Sequence, residues 1–261
     1  MYVKPKKKLG QHFLTDKTIA RDLARAIIYR TPQADKTVCL EIGPGTGILT
    51  EQLLDIPDLD LSVIEIDRES VEYLTVNFPK LYNDNKIIGA DFLNVDLNEL
   101  FPQSLPVICG NFPYNISSQI FFKILEYKET VKEVVCMLQR EVAVRLANKP
   151  GTKEYGILSV FLQAYFDIDY LFDVDNTVFN PPPKVQSAVI RLRRNDVIKI
   201  SCDEKFFRKV VKESFNMRRK MLRNSLKQYF RGLPQEEEFL TKRPEELSVD
   251  DFIRLTNLLS S

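Results

Sequence analysis

Five short apolar runs rich in β-branched residues punctuate the first half of the chain: VCLEIG (38–43), LSVIEID (61–67), KIIGAD (86–91), PVICGN (106–111) and EVVCML (133–138). Between them lie stretches with helical spacing, such as ILTEQLLD, RESVEYLTVNF and SSQIFFKILEYKE. Strands separated by helices need crossover connections, so the pattern predicts an α/β fold, a doubly wound parallel sheet with helices on both faces. Two more strand-like runs, DIDYLFDV (167–174) and VQSAVIRLR (185–193), follow with no clear helix between them and suit an antiparallel edge. Beyond about residue 195 the spacing turns helical, in KFFRKVVKESF, RRKMLRNSLKQYF and a last stretch LSVDDFIRLTNLL with Ser248 placed as its cap. Two domains are therefore expected, a larger one over 1–195 and a small all-helical one over 196–261.

Composition narrows the function. No apolar run approaches the ~18 residues of a membrane span, and the basic start MYVKPKKKLGQHF lacks the apolar stretch of a secretory signal, so export is not expected. Cys39, Cys109, Cys136 and Cys202 are widely spaced and form no CxxC pair, which argues against a disulfide framework or zinc site and fits a reducing cytosol. His12 is the one histidine, so histidine-based metal or triad chemistry has almost nothing to work with. The net charge of +1 conceals segregation: residues 1–30 carry eight Lys/Arg against two acids, and residues 205–231 carry ten against one. Such excesses attract polyanions, although charge runs are more often solvated helix faces.

The first run ends in LEIGPGTGILT, where Gly43, Gly45 and Gly47 allow a tight turn before a helix starting near Ile48. The spacing is GxGxG, whereas the dinucleotide fingerprint needs GxGxxG. Glu41 just upstream suits a cationic ligand better than a phosphate. Glu65 lies 22 residues beyond Gly43, where a carboxylate can accept both hydroxyls of a ribose, and Asp91 closes the next strand, where it can accept from an adenine amine. Ligands of open α/β sheets bind beyond the carboxyl ends of the strands, so these positions converge. Each acid alone reads as a cap or loop residue. Together they point to a nucleoside ligand, and S-adenosylmethionine, with its sulfonium charge, fits better than NAD.

The fourth strand closes on Asn111-Phe112-Pro113-Tyr114. A turn would account for Asn and Pro here. Beside the glycine loop, a pocket for an adenine amine accounts for more. The amine's lone pair is delocalised into the ring, and two acceptors on its N–H bonds would free it for in-line attack on a sulfonium methyl. The Asn111 side-chain oxygen and a backbone carbonyl near Phe112–Pro113 can be those acceptors, with Tyr114 offering a stacking face. Such a reaction needs no strong general base.

In these segments the chain resembles the KsgA-type adenine dimethyltransferases of small-subunit ribosomal RNA. The likeness runs through KKLGQHFL, EIGPGTGILT, VIEID, GADF, GNFPYNISS, YGILSV, FNPPPKVQSAVIRL and FNMRRKMLRNSL. It implies a Rossmann-like class I methyltransferase sheet and transfer of two methyl groups to each of two adjacent adenines in the 3′-terminal hairpin of 16S rRNA. It further implies a cytoplasmic, monomeric enzyme working on the small ribosomal subunit, without metal or membrane. Carried over by motif, His12 and Leu14 flank the cofactor, Gly43 lies under its methionine part, Glu65 binds its ribose and Asp91 its adenine. Asn111 lies near the methyl group, and the target adenine stacks between Tyr114 and Phe179. Many relatives have Asn in place of His12 and a smaller residue in place of Phe112, so Phe112 is expected to narrow the pocket.

The basic run gains weight from this resemblance. Arg218, Arg219, Lys220 and Arg223, with Lys227 and Arg231, are expected to form a helical stripe that tracks the RNA backbone, or in part to pair with the acidic 236–251 region. Three rivals remain: a large-subunit resistance methylase with the same pocket, a DNA adenine methyltransferase, and an assembly factor without turnover. The FNMRRKMLRNSL segment disfavours the first. The lack of a second proline and of a target-recognition domain disfavours the second, and the intact Glu65, Asp91 and NFPY disfavour the third.

Overall fold

The computed structural model describes residues 3–29, 36–102, 106–230 and 238–260. Its strands are β1 (Phe13–Leu14), β2 (Thr37–Ile42), β3 (Leu59–Glu65), β4 (Ile87–Gly89), β5 (Val107–Asn111), β6 (Glu133–Gln139), β7 (Phe166–Val174), β8 (Phe179–Asn180) and β9 (Ser187–Arg194). Its α-helices are α1 (Lys17–Arg25), α2 (Ile48–Leu54), α3 (Arg68–Asn77), α4 (Pro79–Asn83), α5 (Leu97–Leu100), α6 (Ser117–Glu126), α7 (Arg140–Ala147), α8 (Ile157–Gln163), α9 (Glu204–Asn216), α10 (Leu222–Ser225) and α11 (Val249–Ser260).

Seven strands form one sheet in the order β4-β3-β2-β5-β6-β9-β7, with β1 and β8 paired separately. The run from β4 to β6 is parallel, and β9 lies antiparallel to β6. All five strands expected in the first half are present, as is the antiparallel addition. From β2 the chain winds outward to β4, then returns to β5 on the other side of β2. Crossovers of one hand then place their helices on opposite faces of the sheet. Residues alternate accordingly: Cys39, Val63 and Cys109 join one core cluster with Leu23, Leu49 and Leu53, while Leu40, Ile64 and Ile108 are buried outside that cluster.

Packing divides the chain into one unit of Met1–Ala143 with Ile168–Arg194, and another of Val144–Asp167 with Asn195–Ser261. Of the three junctions, the last coincides with the expected division at 195, and Val144–Asp167 groups with the later residues. The apolar face of α8, including Val160, Phe161 and Leu162, is completed only by helices far along the chain, with Phe161 and Phe207 of α9 6.1 Å apart between ring centroids. In this unit Ser248 caps α11 as expected, its Oγ accepting the Asp251 N–H at 3.1 Å.

The helical reading of 218–231 does not hold. Helix α9 ends at Asn216, and α10 is a single turn over Leu222–Ser225. Arg219 and Arg223 therefore do not share one helix. Arg231 and two of the three tail glutamates, at 236 and 237, lie outside the described residues.

Gly110 marks where β5 passes β2. Its φ is +152°, and a Cβ there would lie 2.4 Å from the Ile42 carbonyl oxygen. Backbone cannot yield as a flexible side chain can, so Gly110→Ala is expected to cost at least ~3 kcal/mol of unfolding free energy, measured by denaturant titration.

Candidate active site

The loops after β2, β3, β4 and β5 surround a cavity of about 290 Å³, together with residues 8–14 of the N-terminal segment. The glycine loop forms its floor. Gly43 and Gly45 adopt φ of +67° and +58°. At Gly45 a side chain would meet the Phe13 ring at 2.8 Å, so the N-terminal segment can lie against this loop only because the position is bare.

The three acids expected here do line the cavity, in three different states. Glu65 is 5% exposed; its Oε2 accepts the Gly45 N–H at 3.1 Å and its Oε1 the Asp67 N–H at 2.8 Å. Burial pushes its pKa up, and these backbone donors oppose that rise. The carboxylate is held rigidly with lone pairs to spare. Asp91 caps the turn that follows β4, accepting the Leu93 N–H at 2.9 Å and the Asn94 side-chain amide at 3.0 Å. Glu41 is 1% exposed and accepts the Thr50 hydroxyl at 2.6 Å. Burial raises its pKa to about 8. Burial thus disfavours a negative charge at Glu41 beneath the loop. A cation brought into the cavity favours its ionised form.

Asn111 ends β5 with its amide held in one orientation. Its Nδ2 donates to the His12 carbonyl at 3.0 Å. Its Oδ1 is buried and has no hydrogen-bond partner. A carbonyl can only accept, so the bond to His12 settles which end of the amide is left over. Next in sequence, the Pro113 carbonyl accepts the Ile116 N–H at 3.2 Å, and the Phe112 N–H is taken by the Met137 carbonyl at 2.9 Å.

His12 acts through both backbone and ring. Besides orienting Asn111, its Nδ1 donates to the Pro181 carbonyl at 2.7 Å, and its ring stacks on Tyr114 with centroids 5.5 Å apart. The Tyr114 hydroxyl is bonded to that of Ser187. Leu14 and Gly43 line the same cavity.

Two aromatic rings expected at the pocket are buried. Phe179 is 3% exposed and belongs to the apolar core, where β8 pairs it with Leu14; it does not line the cavity. Phe112 is fully buried, its ring edge-on to Phe121 at 5.8 Å, and it is among the residues that line the cavity.

Sequence reasoning missed the anchor of the N-terminal segment. Lys6 Nζ pairs with Asp67 and, at 3.0 Å, with Glu69. Asp67 is buried; burial works to raise its pKa, and the hydrogen bonds from Lys6 and Gln11 outweigh that and hold it below the ordinary value. The alternation of charges along VIEIDRE carried no signal for a partner at Lys6.

In the second unit, Arg219, Lys220 and Arg223 are exposed. Arg218 differs. Its guanidinium donates to the Lys153 and Thr152 carbonyls and approaches Glu245 at 3.9 Å. Pairing with the acidic tail region accounts for this one residue.

Comparison with known proteins places this geometry. The family model described as ribosomal RNA adenine dimethylase matches residues 3–260. The chain belongs to that family. A ribosomal RNA small subunit methyltransferase A from Parabacteroides distasonis is 53% identical over 260 residues, covering 97% of this chain and 93% of the relative. The protein of the same name from Porphyromonas gingivalis is 53% identical over 262 residues, covering 99% of each. Among solved structures, a dimethyladenosine transferase from Plasmodium falciparum superposes with a TM-score of 0.75 at 24% identity, covering 94% of this chain and 96% of that one. The 23S rRNA methyltransferase ErmE superposes at 0.65 with 26% identity, covering 95% and 100%. The sheet is that of a class I methyltransferase. No helix among the described residues is long and apolar enough to cross a membrane, and these residues contain no cluster of metal-ligating side chains.

Glu41 has a measurable consequence. Its folded pKa lies above its unfolded value, so between about pH 4.5 and 8 the folded state holds a proton that the unfolded state has lost. Its contribution is greatest at the acidic end of this window and is lost as pH rises through it. Glu41→Gln, which keeps the Thr50 bond, should show a less negative slope of unfolding free energy against pH there, by up to ~1.4 kcal/mol per pH unit.

Proposed function

We propose that this protein uses S-adenosylmethionine to dimethylate the N6 amines of two adjacent adenines in the 3′-terminal hairpin of small-subunit rRNA, acting on the small ribosomal subunit in the cytoplasm as a monomer. The observation that carries this reading is the unpartnered, buried Asn111 Oδ1 in the cavity beside the glycine loop. An orphaned buried acceptor costs about 1–3 kcal/mol, and an amine N–H supplies what it lacks. Relatives at about half identity over nearly the whole chain, named as small subunit methyltransferases, support the choice of subunit.

The residues fit the cofactor. Glu65 presents a fixed carboxylate for ribose hydroxyls, Asp91 lies where the adenine would meet the end of β4, and Gly43 leaves the methionine part room, with nothing nearer than 4.0 Å to a notional Cβ. S-adenosylmethionine, when bound, supplies an activated methyl group on a positively charged sulfur.

The chain's own part is to prepare the amine. Asn111 Oδ1 takes one N–H. A backbone carbonyl at Phe112–Pro113 is the second acceptor; that of Pro113 already takes the Ile116 N–H and keeps one lone pair. Two aimed dipoles draw the amine nitrogen out of conjugation and turn its lone pair toward the cofactor, a preorganised arrangement that needs no base. Tyr114 stacks on the ring through the face opposite His12, which holds it in place. With Phe179 buried, the base is sandwiched on one side only. After the first methylation a single N–H remains, and Asn111 is the acceptor whose geometry is fixed for it.

Asn111→Ala is expected to lower kcat about 10²–10³-fold, with a much smaller change in cofactor affinity. The assay is transfer of labelled methyl groups to unmodified small subunits, with large subunits in parallel and nucleoside analysis of the product. Dimethyladenosine from large subunits alone would overturn the choice of substrate. For the basic residues, Arg219→Ala should weaken subunit binding and reduce the slope of log affinity against log salt by about 1. Arg218→Ala should instead lower the melting temperature, since its donors serve the protein's own carbonyls.

A further inference from the structure

Lys123 is a buried lysine, 8% exposed, on α6, the helix that follows the Asn111–Ile116 loop. Its Nζ donates to the Leu93 carbonyl at 3.0 Å and the Val95 carbonyl at 2.5 Å. The ammonium also lies over the Phe92 ring at 5.8 Å and the Tyr127 ring at 5.3 Å. Among the described residues no carboxylate lies within ion-pair distance of it. A cation is costly to bury, and here it is compensated by carbonyl dipoles and ring faces alone. All four of those contacts except Tyr127 belong to one short turn, Asp91–Val95, whose first three residues line the cavity.

We propose that Lys123 is a positioning residue that clamps the Asp91–Val95 turn to α6, so that the pocket for the cofactor's adenine and the pocket for the target adenine keep one mutual geometry. The inference rests on the reading of Asp91 as an adenine contact. Asp91 is aimed by the local N–H of Leu93 and amide of Asn94, which fix the side chain relative to its own turn only. Beyond the pairing of β4 with β3 in the sheet, the pair of bonds from Lys123 ties the turn to α6, the helix that follows the Asn111 loop. A flexible four-carbon stem with three N–H donors can reach two carbonyls at once, which few other side chains do.

The test uses the full chain, with S-adenosylhomocysteine as the calorimetric probe and methyl transfer to unmodified small subunits alongside. Lys123→Met keeps the stem and removes the donors. The expected result is about tenfold weaker probe binding, the scale of one lost hydrogen bond to a charged group, with an equal rise in KM for S-adenosylmethionine and a KM for the subunit within about twofold. Lys123→Arg should recover most of that affinity. In the unsubstituted protein, the probe should slow amide hydrogen exchange in 91–95 and in 117–123 together. Unchanged probe affinity in a folded Lys123→Met protein overturns the proposal. So does protection confined to 91–95, a measurement that does not depend on any variant folding. Asp91→Ala separates the two readings: unchanged probe affinity there sinks the adenine contact. Faster exchange at 91–95 in ligand-free Lys123→Met would still report the clamp.

Discussion

The parallel pairing of β2 with β5, with Cys39 opposite Val107 and Glu41 opposite Cys109, is the constraint on which the rest of the site depends. These two strands are far apart in sequence, and the winding of the sheet reverses between them. The reversal sends the loops that follow them in opposite directions, which opens the cavity at their carboxyl ends. The pairing is close because Gly110 has no side chain to strike the Ile42 carbonyl. It places the glycine loop and the Asn111 loop on either side of one space, and every chemical statement about the site follows from that adjacency.

The N-terminal segment completes the space from outside the sheet. Its hold is distributed over the ion pairs of Lys6 with Asp67 and Glu69, the pairing of β1 with β8, and the bond from Asn111 to the His12 carbonyl. The last of these has chemical weight. An amide free to rotate would offer the target amine a donor as often as an acceptor, and the His12 carbonyl removes that choice. His12 thus contributes through its backbone, and its ring adds a wall behind Tyr114.

The cavity also shows how three carboxyl groups are set apart by their surroundings. Glu65 is braced by two backbone donors, Asp91 caps its own turn, and Glu41 is buried in the sheet with a hydroxyl partner. The first two are fixed acceptors facing the cavity, and burial raises the pKa of the third.

Much of this was legible in the residues alone. Local period and turn chemistry located the strands, the glycine loop, the strand-end acids Glu65 and Asp91 and the Asn-Phe-Pro-Tyr loop, because each is dictated by neighbours a few positions away. The basic run was legible as charge and not as shape: a proper helical spacing over 218–231 gave way to a helix end and a single turn. Phe179 reads as a pocket residue because an aromatic in a loop motif looks the same whether it faces a ligand or a core. Only the three-dimensional packing decided that the Phe179 and Phe112 rings are buried, that α8 belongs with helices from beyond residue 195, that burial raises the Glu41 pKa, and that Asn111 keeps an oxygen free. The reason is common to all four. Burial and hydrogen-bond satisfaction are set by atoms brought together across long stretches of chain, and no local pattern encodes which of a side chain's atoms will find a partner there.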